Sequence, residues 1–295
     1  MALAATPARG ARVCRRITRE HARTFYFASA CLPRATRAHA YAVYGFCRWA
    51  DDGVDAADSP EAARANLRIA REALDLAVSD RLAPPGLAAF RRTLQERGIP
   101  RDLFDALLDG MEMDLSNPRY GEFADLDIYC YRVAGVVGLM MTHVFGFRHD
   151  RCLPHALALG TAMQLTNIAR DVGEDARNGR IYLPAEEMDR FGVDVQQVLE
   201  GRVDDRSRDL IRFQIARAPH SYQLAEAGIP DLIGTSSRLT VRVMGRLYAG
   251  ILGAIERNNY DVFTRRAHVP TASKLKTLAA CQAATCGESL ASYWT

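Results

Sequence analysis

The sequence has no closely paired cysteines, no long apolar run and almost no alternation of apolar with polar residues. Each absence removes a class of protein. The seven cysteines (Cys14, Cys31, Cys47, Cys130, Cys152, Cys281, Cys286) are scattered and odd in number. With no CxxC pair, and no His and Cys at ligand spacing, they suggest neither a zinc site nor a disulfide framework. They read as small hydrophobes in a reducing compartment. The longest nearly apolar stretch, Val133 to Met141, is far short of the roughly 20 residues that span a bilayer. The opening MALAATPARGARVCRRITRE scatters arginines but lacks the apolar core of a secretory signal. A formal charge of +3 gives no reason to expect a nucleic-acid partner. Internal repeats, low-complexity tracts and a dinucleotide fingerprint are also missing. The expectation is a cytoplasmic protein, either soluble or peripheral to a membrane.

What is present is helical periodicity, in a chain whose 48% hydrophobic content can fill a large core. In 61–79, Leu67, Ala70, Leu74 and Ala77 recur at steps of three and four, with Arg and Glu opposite. Ser59-Pro60-Glu61 just before reads as a helix start: a capping hydroxyl, a proline at the first helical position and an acid in the first turn. Leu103, Phe104, Leu107, Leu108 and Met111 form a second apolar stripe, and Met244, Leu247, Ile251 and Ile255 a third. Breakers fall at 84–86, 98–100, 117–118, Gly179, Gly192, 228–230 and Pro270, spread along the chain rather than gathered in one linker. Only RIYLP, after Asn178-Gly179, looks strand-like. The reading is a loose N-terminus over 1–13 and one all-α domain over 14–295, with about ten helices despite a length prior of about two domains.

The chemistry sits in two acidic segments. In YAVYGFCRWADDGVD (41–55), helical spacing puts Tyr44, Arg48, Asp51 or Asp52, and Asp55 on one face. In QLTNIARDVGEDARNGRIYLP (164–184), Asn167, Asp171 and Asp175 follow each other at steps of four, with Gln164 a turn earlier. Carboxylates one turn apart repel each other, and beside Tyr44, Phe46, Trp49, Leu165 and Ile168 they are costlier still unless a cation neutralises them. Either pair alone would ordinarily be a solvated helix face. Two pairs, each beside an arginine (Arg48, Arg170) inside an apolar helix, favour oxygen ligands for Mg²⁺ bridging to a substrate diphosphate.

HARTFYFAS, YAVYGFCRWADDGVD, YCYRVAGVVGLM and NIARDVGEDARNGRIYLP together resemble the squalene and phytoene synthase family, the head-to-head prenyl synthases, from about Cys14 to Leu278. NNYDVFTRRAHVPTASKL is most similar to the bacterial phytoene synthases. The resemblance implies the all-α isoprenoid-synthase fold, a single helical bundle around a central cavity with two aspartate-rich motifs across its mouth. It implies that Asp51 and Asp55 form one metal-binding pair and Asp171 and Asp175 the other, with two or three Mg²⁺ ions and Mn²⁺ as a substitute. Arg48, Asn167, Arg170 and Arg180 would contact diphosphate or metal. His21 and Phe25 would line the mouth, and Tyr44, Gln164 and Tyr248 would flank the reacting carbons. Val133, Ala134, Val137 and Gly138 would leave room for a prenyl chain, whereas most of their neighbours are core. Asp114 recurs at such a place in the family, and a helix-end structural role suits it equally.

The implied reaction joins two geranylgeranyl diphosphates into 15-cis-phytoene through a cyclopropylcarbinyl diphosphate. The alternative is the same fold acting on farnesyl diphosphate, giving presqualene diphosphate, dehydrosqualene or squalene. Five extra buried carbons are worth at most about 4 kcal/mol, enough to choose between them. NADPH is not expected, and the lack of a C-terminal anchor argues against the eukaryotic squalene type. A plain DxxxD second motif disfavours a class I terpene cyclase, and a scaffold protein would have been free to lose the aspartates. The implied partners are prenyl diphosphates, with peripheral membrane contact because both substrate and product partition into lipid.

Overall fold

The structure, a computed structural model, describes residues 7–79, 87–116 and 119–291. Among them are fifteen α-helices. The first half contains α1 (Pro7–His21), α2 (Arg23–Ser29), α3 (Arg34–Asp55), α4 (Pro60–Val78), α5 (Ala88–Arg97), α6 (Arg101–Leu115), α7 (Phe123–Cys130) and α8 (Val136–Phe145). The second contains α9 (Leu153–Arg177), α10 (Ala185–Arg190), α11 (Val195–Leu199), α12 (Asp205–Ile215), α13 (Ala218–Gly228), α14 (Thr235–Arg257) and α15 (Thr271–Ala291). The excess over about ten comes partly from short pieces such as α10 and α11, too short to show a period in the sequence. Of the segment expected to be loose, residues 7–13 lie in α1. RIYLP is not a strand, and among the described residues the one β-bridge joins Phe147 to Leu232. The breakers at 84–86 and 117–118 lie outside the described residues.

Local signals set the boundaries that were legible. Ser59 Oγ accepts from Ala62 N at 3.2 Å, so α4 begins where the cap, proline and acid place it. Gly98 adopts φ +57° and ends α5, and Pro100 caps α6. The three apolar stripes are buried as expected.

Two cores result. One gathers α3 to α6 with α8 around Phe46, Phe90 and Phe104, with Phe46 and Phe90 stacked at 4.2 Å. The other gathers α9 to α14 around Leu210, Ile211 and Ile255. Between them runs a continuous helical stretch, 123–145, in which a π-helical turn (Tyr131–Gly135) joins α7 to α8. Over its 23 residues it is long and apolar enough to cross a membrane, by length and composition. The sequence reading missed this by counting only 133–141. Leu126, Cys130, Val136, Met140 and Val144 on it are nevertheless fully buried in the bundle.

Its packing on α9 is backbone to backbone. A Cβ on Gly160 would lie 2.3 Å from the Ala134 carbonyl oxygen, and one on Gly138 would lie 2.4 Å from that of Ala156. Glycine is required there because the two helices approach this closely.

Candidate active site

A cavity of about 420 Å³ lies where the two cores meet. Its walls come from α3 (Tyr44, Cys47, Arg48, Asp51), from the π turn and α8 (Val133 to Phe145), from α9 (His155 to Asn167) and from α14 (Thr240 to Tyr248). The lining is mostly apolar, and the charged side chains in it are Arg48, Asp51 and Asp114. Phe25, Tyr44, Arg48, Asp51, Val133, Ala134, Val137, Gly138, Gln164, Asn167 and Tyr248, all singled out in the sequence, line it. Asp55, Arg170, Asp171, Asp175 and Arg180 stand just beyond the lining, and exposed His21 does not reach it.

The acids are unevenly covered: the Asp171 side chain is 17% exposed, whereas Asp51 and Asp55 are 41% and 47% exposed. Burial pushes the Asp51 carboxyl up to about 6, reinforced by the charge of Asp55 and opposed by Arg48. Burial pushes Asp175 to about 7, with Asp171 and Glu174 adding repulsion. Asp171 is also buried, but the Arg170 fork and Arg266 outweigh that and hold its carboxyl low. Arg170 donates through Nε at 2.8 Å, and Arg266 at 2.9 Å. Arg48 grips Asp51 at 2.9 Å and Asp52 at 2.6 Å, both on its own helix.

One contact joins the two motifs. Arg180 Nη2 donates to Asp55 Oδ1 at 3.2 Å, linking the turn after α9 to the end of α3. Gly179, at φ +74°, makes that turn, and Arg180 N donates to the Asp175 carbonyl at 2.9 Å. The following segment is pinned from outside. Ala185 N bonds to Tyr120 O at 2.9 Å, and buried Glu187 receives Gln214 Nε2 at 2.6 Å and the Arg217 guanidinium.

Among the described residues no three Asp, Glu, His or Cys side chains cluster tightly enough to hold a metal by themselves. Each motif instead offers one carboxylate of raised pKa, Asp51 and Asp175, and the buried Asn167 Oδ1 has no hydrogen-bond partner. All-oxygen donors, few and divided between two walls, fit Mg²⁺ that keeps waters and binds substrate phosphate.

The squalene/phytoene synthase family profile matches residues 18–273. The chain belongs to this family. It is 41% identical over 287 residues to a phytoene synthase of Arthrospira platensis, covering 92% of this chain and 91% of the relative. It is also 41% identical over 275 residues to the 15-cis-phytoene synthase of Synechocystis, covering 89% of this chain and 81% of that one. A solved dehydrosqualene synthase in complex with ligand superposes with a TM-score of 0.87 at 29% identity, over 95% of this chain and 98% of that chain. This squalene/phytoene synthase family member is therefore a prenyltransferase with the all-α isoprenoid-synthase fold.

Sequence reasoning missed several groups at this family site. Asp114, left undecided, lines the cavity and accepts from Tyr129 Oη at 2.8 Å and Tyr182 Oη at 3.1 Å. Burial raises its carboxyl despite both bonds. Arg266 covers Asp171 and Glu174 from the loop before α15. Tyr129, Tyr182 and Arg266 all lie inside quoted motifs, but nothing in their spacing points to partners so distant in sequence.

Proposed function

We propose that the enzyme condenses two geranylgeranyl diphosphates head to head into 15-cis-phytoene, through a cyclopropylcarbinyl diphosphate. Asp51 and Asp55 on one wall, and Asp171, Asp175 and Asn167 on the other, would hold the metal. Mg²⁺, as two or three ions replaceable by Mn²⁺, supplies Lewis-acid neutralisation of the departing diphosphate. Arg48, Arg170 and Arg180 would bind the diphosphate oxygens once freed from their carboxylates. Tyr44, Gln164 and Tyr248 flank the reacting carbons, while Phe25, Val133, Ala134, Val137 and Gly138 exclude water from the cation. His21 would act at the outer mouth. Neither nicotinamide cofactor nor nucleophilic side chain has a part in this scheme.

The observation that carries the reading is a mostly apolar cavity whose lining includes Arg48 and Asp51 of one motif and Asn167 of the other. The choice of the C20 substrate is supported by the two 41%-identical relatives, which carry phytoene synthase names.

Calorimetric titration with Mg²⁺ and inorganic diphosphate tests the site apart from turnover. Asp51→Asn and Asp175→Asn should each weaken binding about tenfold or more. Unchanged binding in both variants would remove the metal assignment.

A further inference from the structure

We infer that the exposed face of α1 docks on an anionic lipid surface and brings the cavity mouth to the headgroup layer. Arg12, Arg15, Arg16 and Arg19 are all exposed. At 100° per residue they fall within about a 100° arc of one helix face. The opposite face is spoken for: Ile17 and Thr18 are buried, and Cys14 packs on Gly45 of α3. Exposed Arg23 continues the surface into α2. There Lys274 Nζ approaches Thr24 Oγ1 at 3.5 Å and brings in the start of α15, where Lys276 is exposed and Leu275 is 56% exposed.

This surface gathers seven cations, Arg12, Arg15, Arg16, Arg19, Arg23, Lys274 and Lys276, with Glu20 as the acid on the same helix. Several arginines elsewhere are paired with acids, as in Arg71 with Asp109 and Arg151 with Asp231. Here, among the described residues, Arg12, Arg16, Arg19 and Arg23 have no acidic partner, and Arg15 donates only to Tyr26 Oη. A one-signed, unpaired arginine face repels itself unless it meets negative charge. It fits phosphate headgroups, with Leu275 as a shallow apolar contact.

Position decides between this and a merely solvated face. Ala22 and Phe25, the residues just beyond α1, line the cavity. A prenyl diphosphate keeps its chain in the bilayer and its diphosphate among the headgroups, so a mouth held at that layer takes in the chain without exposing it to water. This inference rests on the prenyl diphosphate reading above, but its test does not depend on turnover.

Flotation of the full chain with vesicles of phosphatidylglycerol and phosphatidylcholine, and of phosphatidylcholine alone, tests it. The triple variant Arg12→Gln, Arg16→Gln, Arg19→Gln is compared with the wild type, and circular dichroism checks that both are folded. The wild type should float with the anionic vesicles only and lose them at about 0.5 M salt. The variant should partition about a hundredfold more weakly at low salt, with its activity on detergent-dispersed substrate unchanged. Equal flotation of wild type and variant, equal binding to neutral vesicles, or retention on DNA without binding to vesicles would each overturn the inference. Anionic flotation without any prenyl product would leave the docking surface standing and count against the proposed function instead.

Discussion

Arg180 holds Asp55 at 3.2 Å across the mouth of the cavity, and both side chains remain more than a third exposed. An ion pair this wet contributes little to folding. Arg180→Ala should therefore shift unfolding free energy by less than about 1 kcal/mol. Its loss should still cost about a hundredfold or more in kcat/KM if the guanidinium turns to the departing diphosphate. Denaturant melts and steady-state kinetics on one preparation separate the two effects. A large stability loss with intact kinetics would make Arg180 a structural clasp only.

The raised carboxyls of Asp51 and Asp175, at about 6 and about 7, fix a pH dependence. Both lie above the ordinary aspartate value of about 3.9, so the folded chain binds more protons than the unfolded one between about pH 4 and 7. These two groups therefore make the metal-free protein more stable as pH falls from 7 towards 5. Divalent cations compete with those protons, so Mg²⁺ with diphosphate should raise Tm more at about pH 8 than at about pH 5.5. Equal shifts, measured by calorimetry, would contradict the assignment.

Gly160 is held against the Ala134 carbonyl, where an added Cβ would sit at 2.3 Å from backbone that cannot move aside as a side chain could. Gly160→Ala should cost about 1–3 kcal/mol or more by overpacking and should narrow the cavity wall. Chemical denaturation measures the first effect. Wild-type stability would mean that the π turn and α9 separate easily.

Asp114 satisfies two tyrosine hydroxyls inside the site. Asp114→Leu should leave both hydroxyls short of an acceptor, at about 1–3 kcal/mol for each that stays buried. Asp114→Asn, which keeps a carbonyl acceptor, should recover most of the stability. If the asparagine variant is stable yet inactive, Asp114 acts on substrate or metal rather than on the tyrosines alone.

Ala156 lines the cavity near the start of α9, at the other end of that helix's lining from Asn167. Ala156→Leu should lower kcat/KM for the C20 substrate about tenfold or more relative to the C15 substrate, through lost room for terminal carbons. Competition between the two substrates reads this ratio directly, and an unchanged ratio would place the floor elsewhere.

The legible parts of the molecule are those written in local spacing. The cap at Ser59, the stripe from Leu103 to Met111 and the one-turn separation of Asp51 from Asp55 depend on residues within a few positions of each other. The π turn was not legible, because it goes with the close approach of residues 131–138 to α9 at Gly160, a tertiary fact. Arg266 meets Asp171 across 95 residues, and Tyr182 meets Asp114 across 68, so no periodicity announces them. His21, placed at the mouth by its motif, is exposed beside Ala22, which lines the cavity.

The most direct measurement is a product assay with purified protein and Mg²⁺, offered farnesyl or geranylgeranyl diphosphate in parallel without NADPH, with the extracts read by mass spectrometry. The account predicts a C40 hydrocarbon from the longer substrate and little from the shorter. A C30 product, or a cyclopropylcarbinyl diphosphate that goes no further, would contradict the choice of substrate, and no product from either would contradict the condensation itself.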